Sequence, residues 1–408
     1  MKGICVRSEI KPLKKVLLHR PGKELLNLTP DRLPELLFDD IPFLKVAQQE
    51  HDAFAQILRD NGVEVVYLED LMTEVLKLHP EVLKPFLYQW LEEGNIKTRK
   101  WQDKLYDHLT ENFSGKDLVE KTMEGITMRE MGNVSAYSLQ DMIAPPDDLV
   151  VDPMPNLYFT RDPFASVGTG VTLHKMRFPT RCRETIYADY IFRYHPDFEG
   201  LVTRYCDRNS IRNIEGGDVL NLTEDTLAIG ISQRTSPDGI EEVARNLFKD
   251  PNAKIRTILA FDIPDCRAFM HLDTVFTQVD VDKFTVHPGI LGTLRIFELT
   301  GRGQGKLTTR EVSGPLEQVL AGYLGLDRVQ LIRCGGSSQI AAEREQWNDG
   351  SNTLCIAPGV VVVYDRNYVT NQILEDSGIR VLKMPSAELS RGRGGPRCMS
   401  MPLWRDEI

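Results

Sequence analysis

Short apolar runs of strand length alternate with amphipathic runs of helix length along most of the chain. This alternation limits the fold more than any other feature of the sequence. Residues 15–19 form an apolar run closed by Pro21-Gly22, the pattern of a strand and its turn. Over 43–61, Phe43, Ala47, Phe54, Ile57 and Leu58 recur at helical spacing; Gly62 stops the run, and 63–68 alternates as a strand. Further on, strands are expected at 156–159, 170–173, 218–222, 226–231, 254–261, 272–279, 329–333, 353–356, 360–364 and 379–383, with helices at 239–248, 316–323 and 368–376. Strand, strand, helix, strand modules thus recur, although no residue-level repeat accompanies them. The class is α/β.

The stretch 71–132 breaks the alternation. Val82-Leu83, Phe86-Leu87 and Trp90-Leu91 recur every four residues, and Leu105, Leu109, Val119, Met123 and Ile126 continue the pattern with no strand signal. We read 71–148 as a helical insertion within a single domain spanning 1–408; a packed layer of the main domain is the other reading. A chain of 408 residues buries ample core without disulfide staples.

Charge and cysteine content exclude several function classes. Lys plus Arg is 49 against 59 for Asp plus Glu, a net −10 that disfavours nucleic acid and anionic membranes as partners. No apolar run approaches about eighteen residues, so no membrane helix is expected. Residues 1–21 lack a basic start followed by an apolar core, so no secretory signal is expected. The seven cysteines are odd in number, widely spaced and free of CxxC, against a disulfide framework or zinc ribbon and in favour of a reducing cytoplasm.

Four constellations could carry chemistry. In Arg391-Gly-Arg-Gly-Gly-Pro-Arg-Cys398, glycines let backbone approach a ligand, and Arg391, Arg393 and Arg397 put positive charge beside a sulfur, favouring thiolate. A basic tail with an incidental Cys is the other reading, though Met399, Met401, Leu403 and Trp404 are too apolar for a frayed end. In His271-Leu-Asp273 a strand would put imidazole and carboxylate on one face, as a general acid–base beside a cation-binding anion, or as a locally satisfied pair. Glu215 precedes a Gly-Gly turn in Asn213-Ile-Glu-Gly-Gly-Asp218, where it could orient the imidazole, grip a cation or simply decorate a turn. Arg161-Asp162 ends an expected strand before Pro163, as binding residues or a strand-end ion pair. His271, Asp273, Glu215 and Asp162 would make an N/O metal set, but no HExxH or second histidine supports one. The loop Gly301-Arg-Gly-Gln-Gly305 lacks a Walker lysine. One Cys and one His suggest amide chemistry, yet the surplus of carboxylates suits a delocalised guanidinium better than an oxyanion.

These residues resemble the bacterial arginine deiminases of the guanidino-modifying superfamily, nearly end to end. The resemblance is carried by His19-Arg-Pro-Gly22, Leu37-Phe-Asp-Asp40, Asn156-Leu-Tyr-Phe-Thr-Arg-Asp162, Glu215-Gly-Gly-Asp218, His271-Leu-Asp273 and Gly394-Gly-Pro-Arg-Cys-Met-Ser-Met401, in that order. It implies a five-bladed pseudo-symmetric α/β propeller of ββαβ-type modules with a helical insertion. It also implies hydrolysis of L-arginine to L-citrulline and ammonia, with Cys398 as nucleophile and His271 as general acid–base. Asp162 and Asp273 would grip the guanidinium, and Glu215 would bind it and orient His271. Arg181, Arg234 and Arg393 would hold the α-carboxylate, with Asn156 assisting. Family members carry His or Arg before the cysteine; here it is Arg397. No metal or organic cofactor, no nucleic acid and no membrane is implied, and the expected state is a cytoplasmic homo-oligomer, dimer or tetramer. A related amidinotransferase, a methylarginine hydrolase and a non-catalytic arginine-binding protein are the alternatives. The intact Cys398, His271, Asp162, Glu215 and Asp273 argue against the last of these, and chain length with Gly394-Gly-Pro-Arg-Cys398 favours the deiminase over the other two.

Overall fold

One arrangement of strands recurs in five sheets of the structure, a computed structural model that describes residues 1–132, 145–303 and 305–406. In each, two strands pair antiparallel and a helix leads to a third strand that runs parallel to one of them, the crossover that parallel pairing requires. Phe164–Val167, Gly170–Leu173 and Thr203–Cys206 form one such unit around the helix Thr185–Tyr194. Val219–Asn221, Thr226–Ile231 and Thr257–Asp262 form the next around Pro237–Lys249, and the hairpin Arg295–Gly301 and Leu307–Val312 widens that sheet to five strands. Phe276–Gln278, Lys283–Val286 and Gln330–Arg333 surround Leu316–Leu324; Leu354–Ala357, Val360–Tyr364 and Arg380–Met384 surround Tyr368–Asp376. The fifth unit joins the two ends of the chain. Met401–Arg405 pairs antiparallel with Leu13–Leu18, which runs parallel to Glu64–Tyr67 after the helix Leu44–Asp60.

Local chemistry explains the helices. In Pro237–Lys249 the Ser236 hydroxyl caps Gly239 N–H, Pro237 takes the first turn, and Ile240, Val243, Ala244 and Leu247 bury one stripe. The expected insertion folds as Leu68–Leu78, Leu83–Glu93, Arg99–Asn112 and Gly115–Glu124. Its apolar face does not form a separate core. Phe86, Leu87, Trp90, Leu91, Leu105 and Leu109 join one continuous cluster with Val171, Leu173 and Tyr187 of the first sheet unit. Residues 133–144 of the expected insertion lie outside the described residues, as do Gln304 of the glycine-rich loop and the last two residues of the expected domain.

Three expectations are corrected. Residues 156–159 are not a strand: Pro155 starts a 3-10 turn over Pro155–Tyr158. The expected strand 272–279 shortens to Phe276–Gln278, because Leu272–Thr274 is a 3-10 turn tied to His271 C=O by the Thr274 hydroxyl. Within the helical run, Ile126–Thr127 pairs with Leu149–Val151 as a two-stranded ribbon.

Candidate active site

The glycine-rich stretch is an ordered, buried loop that delivers Cys398 to the start of the strand Met401–Arg405. Gly395 allows this: a Cβ there would lie 2.7 Å from Asn352 C=O and 2.8 Å from Asn352 Oδ1. The Cys398 N–H donates to Asn352 Oδ1 at 3.0 Å, and Asn352 Nδ2 lies 3.2 Å from the sulfur. The sulfur also lies 3.8 Å from Asp273 Oδ2. Burial, with the charges of Asp273, Asp162 and Asp349, pushes the thiol well above its ordinary value, and Arg397 opposes this only in part. The three local arginines therefore do not act together on the sulfur as their spacing suggested. Arg391 turns outward to Asp40 and Glu388, and Arg393 lies on the Trp347 ring at 3.5 Å. Arg397 is ion-paired to Asp273 Oδ2 at 2.7 Å and Glu9 Oε2 at 3.1 Å, and its Nη2 donates to Val219 C=O.

His271 reaches the same space from the edge of its 3-10 turn. It does not share a strand face with Asp273, so period-two spacing is not what brings the pair together. A short turn, Gly216–Asp218, packs under the imidazole; a Cβ on Gly217 would lie 2.6 Å from the ring. This leaves Glu215 Oε2 2.9 Å from His271 Nε2, while Asp162 Oδ1 lies 3.8 Å from Nδ1. Burial alone would lower the imidazole, but Asp162, Glu215 and Asp218 outweigh it and raise His271 to about 9. Glu215 moves the other way: Arg234, His271 and Arg181 overcome its burial and hold it well below the ordinary carboxylate range. Asp218 fixes the turn by accepting from Leu272 N–H at 2.8 Å, and burial raises it to about 6.

The expected substrate-binding residues line the same cavity. Arg181 donates to Asp162 Oδ2 at 2.7 Å and to Glu184 Oε2 at 2.8 Å. Arg234 lies 3.4 Å from Glu215 Oε2 and stacks on Phe178. Asn156 Nδ2 donates to Leu36 C=O at 2.7 Å. Arg393 differs from all of these. It adopts a left-handed φ of 61°, is buried, and has no hydrogen-bond partner on Nε, Nη1 or Nη2; Asp39 Oδ2 stands 3.8 Å away. Asp162 Oδ1 is likewise buried without a hydrogen-bond partner. Asp162, Glu215 and His271 bring ligand atoms within 4.8 Å of one another and could hold a cation. In the structure guanidinium groups meet these acids, Arg181 at Asp162 and Arg234 at Glu215.

Asn352, Trp347 and Asp349 escaped the sequence reading. Trp347 ends the helix Gln339–Trp347, Asp349 and Asn352 lie in the turn that follows, and only the turn-forming Asn348-Asp-Gly-Ser-Asn352 composition marks that place. Asp349 is buried with a left-handed φ of 59°, and burial raises it to about 7 despite the charge of Arg393.

Comparison with known proteins gives the chain a family. The arginine deiminase family model matches residues 34–405. The chain is 58% identical over 409 residues to an arginine deiminase of Treponema denticola, covering 100% of both chains. It is 53% identical over 410 residues to one of Clostridium perfringens, covering 100% of this chain and 99% of that one. Among solved structures, an inosamine-phosphate amidinotransferase from Streptomyces griseus superposes with a TM-score of 0.54 at 14% identity, covering 100% of this chain and 98% of the other, a likeness of α/β fold alone. Matched along almost its whole length, the chain belongs to the arginine deiminase family.

Proposed function

We propose that this protein hydrolyses L-arginine to L-citrulline and ammonia through a covalent amidino-cysteine on Cys398. One observation carries the reading. The cavity has a buried carboxylate oxygen without a hydrogen-bond partner, Asp162 Oδ1, and separately a buried guanidinium without one, Arg393. A ligand that satisfies both bears a cation on one end and a carboxylate on the other, as arginine does.

In this reading the substrate guanidinium lies between Asp162 and Asp273, over the sulfur. Its charge lowers the thiol, which gives its proton to water, and the thiolate attacks the guanidinium carbon. His271, protonated at neutral pH, gives its proton to the nitrogen that leaves as ammonia, and the C–N bond breaks. The neutral imidazole then takes a proton from water, whose oxygen adds to the same carbon. The C–S bond breaks, the hydroxyl proton returns to sulfur, and citrulline departs. Glu215 holds His271 by its Nε2 contact, and Arg393, with Arg181, Arg234 and Asn156, recognises the amino-acid end.

Within the same reading, the five repeated sheet units are the blades of an α/β propeller. Residues 1–408 act as one catalytic domain with 71–148 inserted, the described helices of that segment sharing its core. A cytoplasmic setting suits the cysteines, none of which forms a disulfide among the described residues. The direct test is to incubate the protein with L-arginine and measure citrulline and ammonia, with agmatine, which lacks the carboxylate, alongside. Citrulline in equal measure with ammonia, and little turnover of agmatine, is expected. Amidino transfer to an added amine, or release of methylamine from methylated arginines in preference to arginine hydrolysis, would place the chain with a related activity.

A further inference from the structure

We infer that Asn352 is a catalytic residue of this reaction, a fixed N–H donor to the Cys398 sulfur whenever that sulfur carries negative charge. The inference rests on Cys398 as the nucleophile. Asn352 is fully buried, and its orientation is dictated by backbone groups. One side of its amide faces the Cys398 N–H, which requires an acceptor, at 3.0 Å. The other side faces the Asp273 carbonyl, which requires a donor, at 3.1 Å. Oδ1 must therefore point to the Cys398 backbone and Nδ2 to Asp273. The second hydrogen on Nδ2 is left for Sγ, at 3.2 Å.

No other neutral donor among the described hydrogen bonds meets this sulfur, and its remaining polar contacts are the carboxylate oxygens of Asp273 at 3.8 and 4.0 Å. Those anions oppose a thiolate, so the amide is the protein's own counterweight to them. Asn352 exchanges no atom or proton. Its hydrogen bond strengthens when the thiol proton leaves, weakens as the C–S bond forms, and strengthens again when C–S cleavage returns the electron pair to sulfur. A single donor thus serves the sulfur both as nucleophile and as leaving group. Gly395 is part of the device, because any side chain there would displace the amide from the loop it reads.

The test compares Asn352→Ala and Asn352→Asp with the unaltered protein and with Cys398→Ser. We expect kcat to fall about 10- to 100-fold with KM for arginine little changed, and the pH at which iodoacetamide begins to alkylate Cys398 to rise. A kcat within about twofold of normal, or a KM effect with unchanged alkylation, would overturn the inference. A merely loosened loop would raise KM without moving the thiol titration. Should either variant fail to fold, a second measurement leaves Asn352 intact: in protein labelled with 15N-asparagine, Cys398→Ala should shift one side-chain NH2 signal pair, and no shift counts against the contact. Cys398→Ser separates the two levels. If it retains activity the nucleophile itself is wrong; if it is inactive while both Asn352 variants work normally, only the role of Asn352 falls.

Discussion

At the Cys398 end of the cavity most charged groups already have a hydrogen-bond partner, whereas at the Arg393 end all three nitrogens of one guanidinium lack one. Arg181 meets Asp162, Glu215 meets His271, and Arg397 meets Asp273, although Asp162 Oδ1, Arg161 Nη2, Arg234 Nε and Asp349 Oδ2 are buried without hydrogen-bond partners. Arg393 has only an aromatic face beneath it and a carboxylate at 3.8 Å. On the proposed function the difference is one of purpose. A reacting centre gains from groups fixed before the substrate arrives, because reorganisation during the reaction is costly. A recognition group gains from unmet hydrogen bonds, because the right ligand then relieves a desolvation cost that a wrong one leaves in place.

The largest expected effect breaks the prebuilt end. Cys398→Ser should abolish citrulline formation while arginine still binds, measured by turnover and by calorimetry; near-normal turnover would remove Cys398 from the reaction. Next comes the other end. Arg393→Lys keeps a charge but loses the fork that matches a carboxylate, so kcat/KM should fall through KM by about 1.5–3 kcal/mol. An unchanged KM for arginine would show that Arg393 does not read the substrate.

A smaller effect sharpens the electrostatics of the prebuilt end. His271 is raised to about 9, so its protonated form is present through neutral pH and is lost as pH rises past that value. The rate should decline on that alkaline side. Glu215→Gln removes a charge that raises His271 and leaves only a neutral acceptor, so the alkaline limb should move to lower pH; a limb that stays put would assign it to another group. Smallest of all, Trp347→Ala should raise KM a few-fold, since an Arg on an exposed aromatic face is worth about 0.5–1 kcal/mol and Trp347 is exposed.

What could be read in the sequence divides along similar lines. The helices Tyr368–Asp376 and Pro237–Lys249 and the strand Thr226–Ile231 were legible because periodicity and caps are local. The strand Met401–Arg405 was not, since it is held by Leu13–Leu18 from the far end of the chain. Cys398, His271, Glu215 and Asp162 stood out through unusual local composition and family motifs. Asn352 did not, because its importance lies in two backbone groups more than forty residues away, Cys398 N–H and Asp273 C=O. The pairing of His271 with Asp273 by strand period misjudged the means: a 3-10 turn after His271 aims Asp273 at the sulfur while the imidazole turns to Glu215. Spacing also could not show that Arg391 faces Asp40, or that acids and burial together outweigh Arg397 at the sulfur.

On the proposed mechanism the resting cysteine is a thiol which only the substrate's cation turns into a nucleophile. Titrating the thiolate absorbance of the free protein against Cys398→Ser tests it most directly. The difference should be absent at pH 7 and emerge only well above the ordinary thiol range, as burial and the Asp273, Asp162 and Asp349 charges dictate. A thiolate already dominant at pH 7 in the free protein would contradict the account, showing that Arg397 and its neighbours suffice to charge the sulfur without substrate.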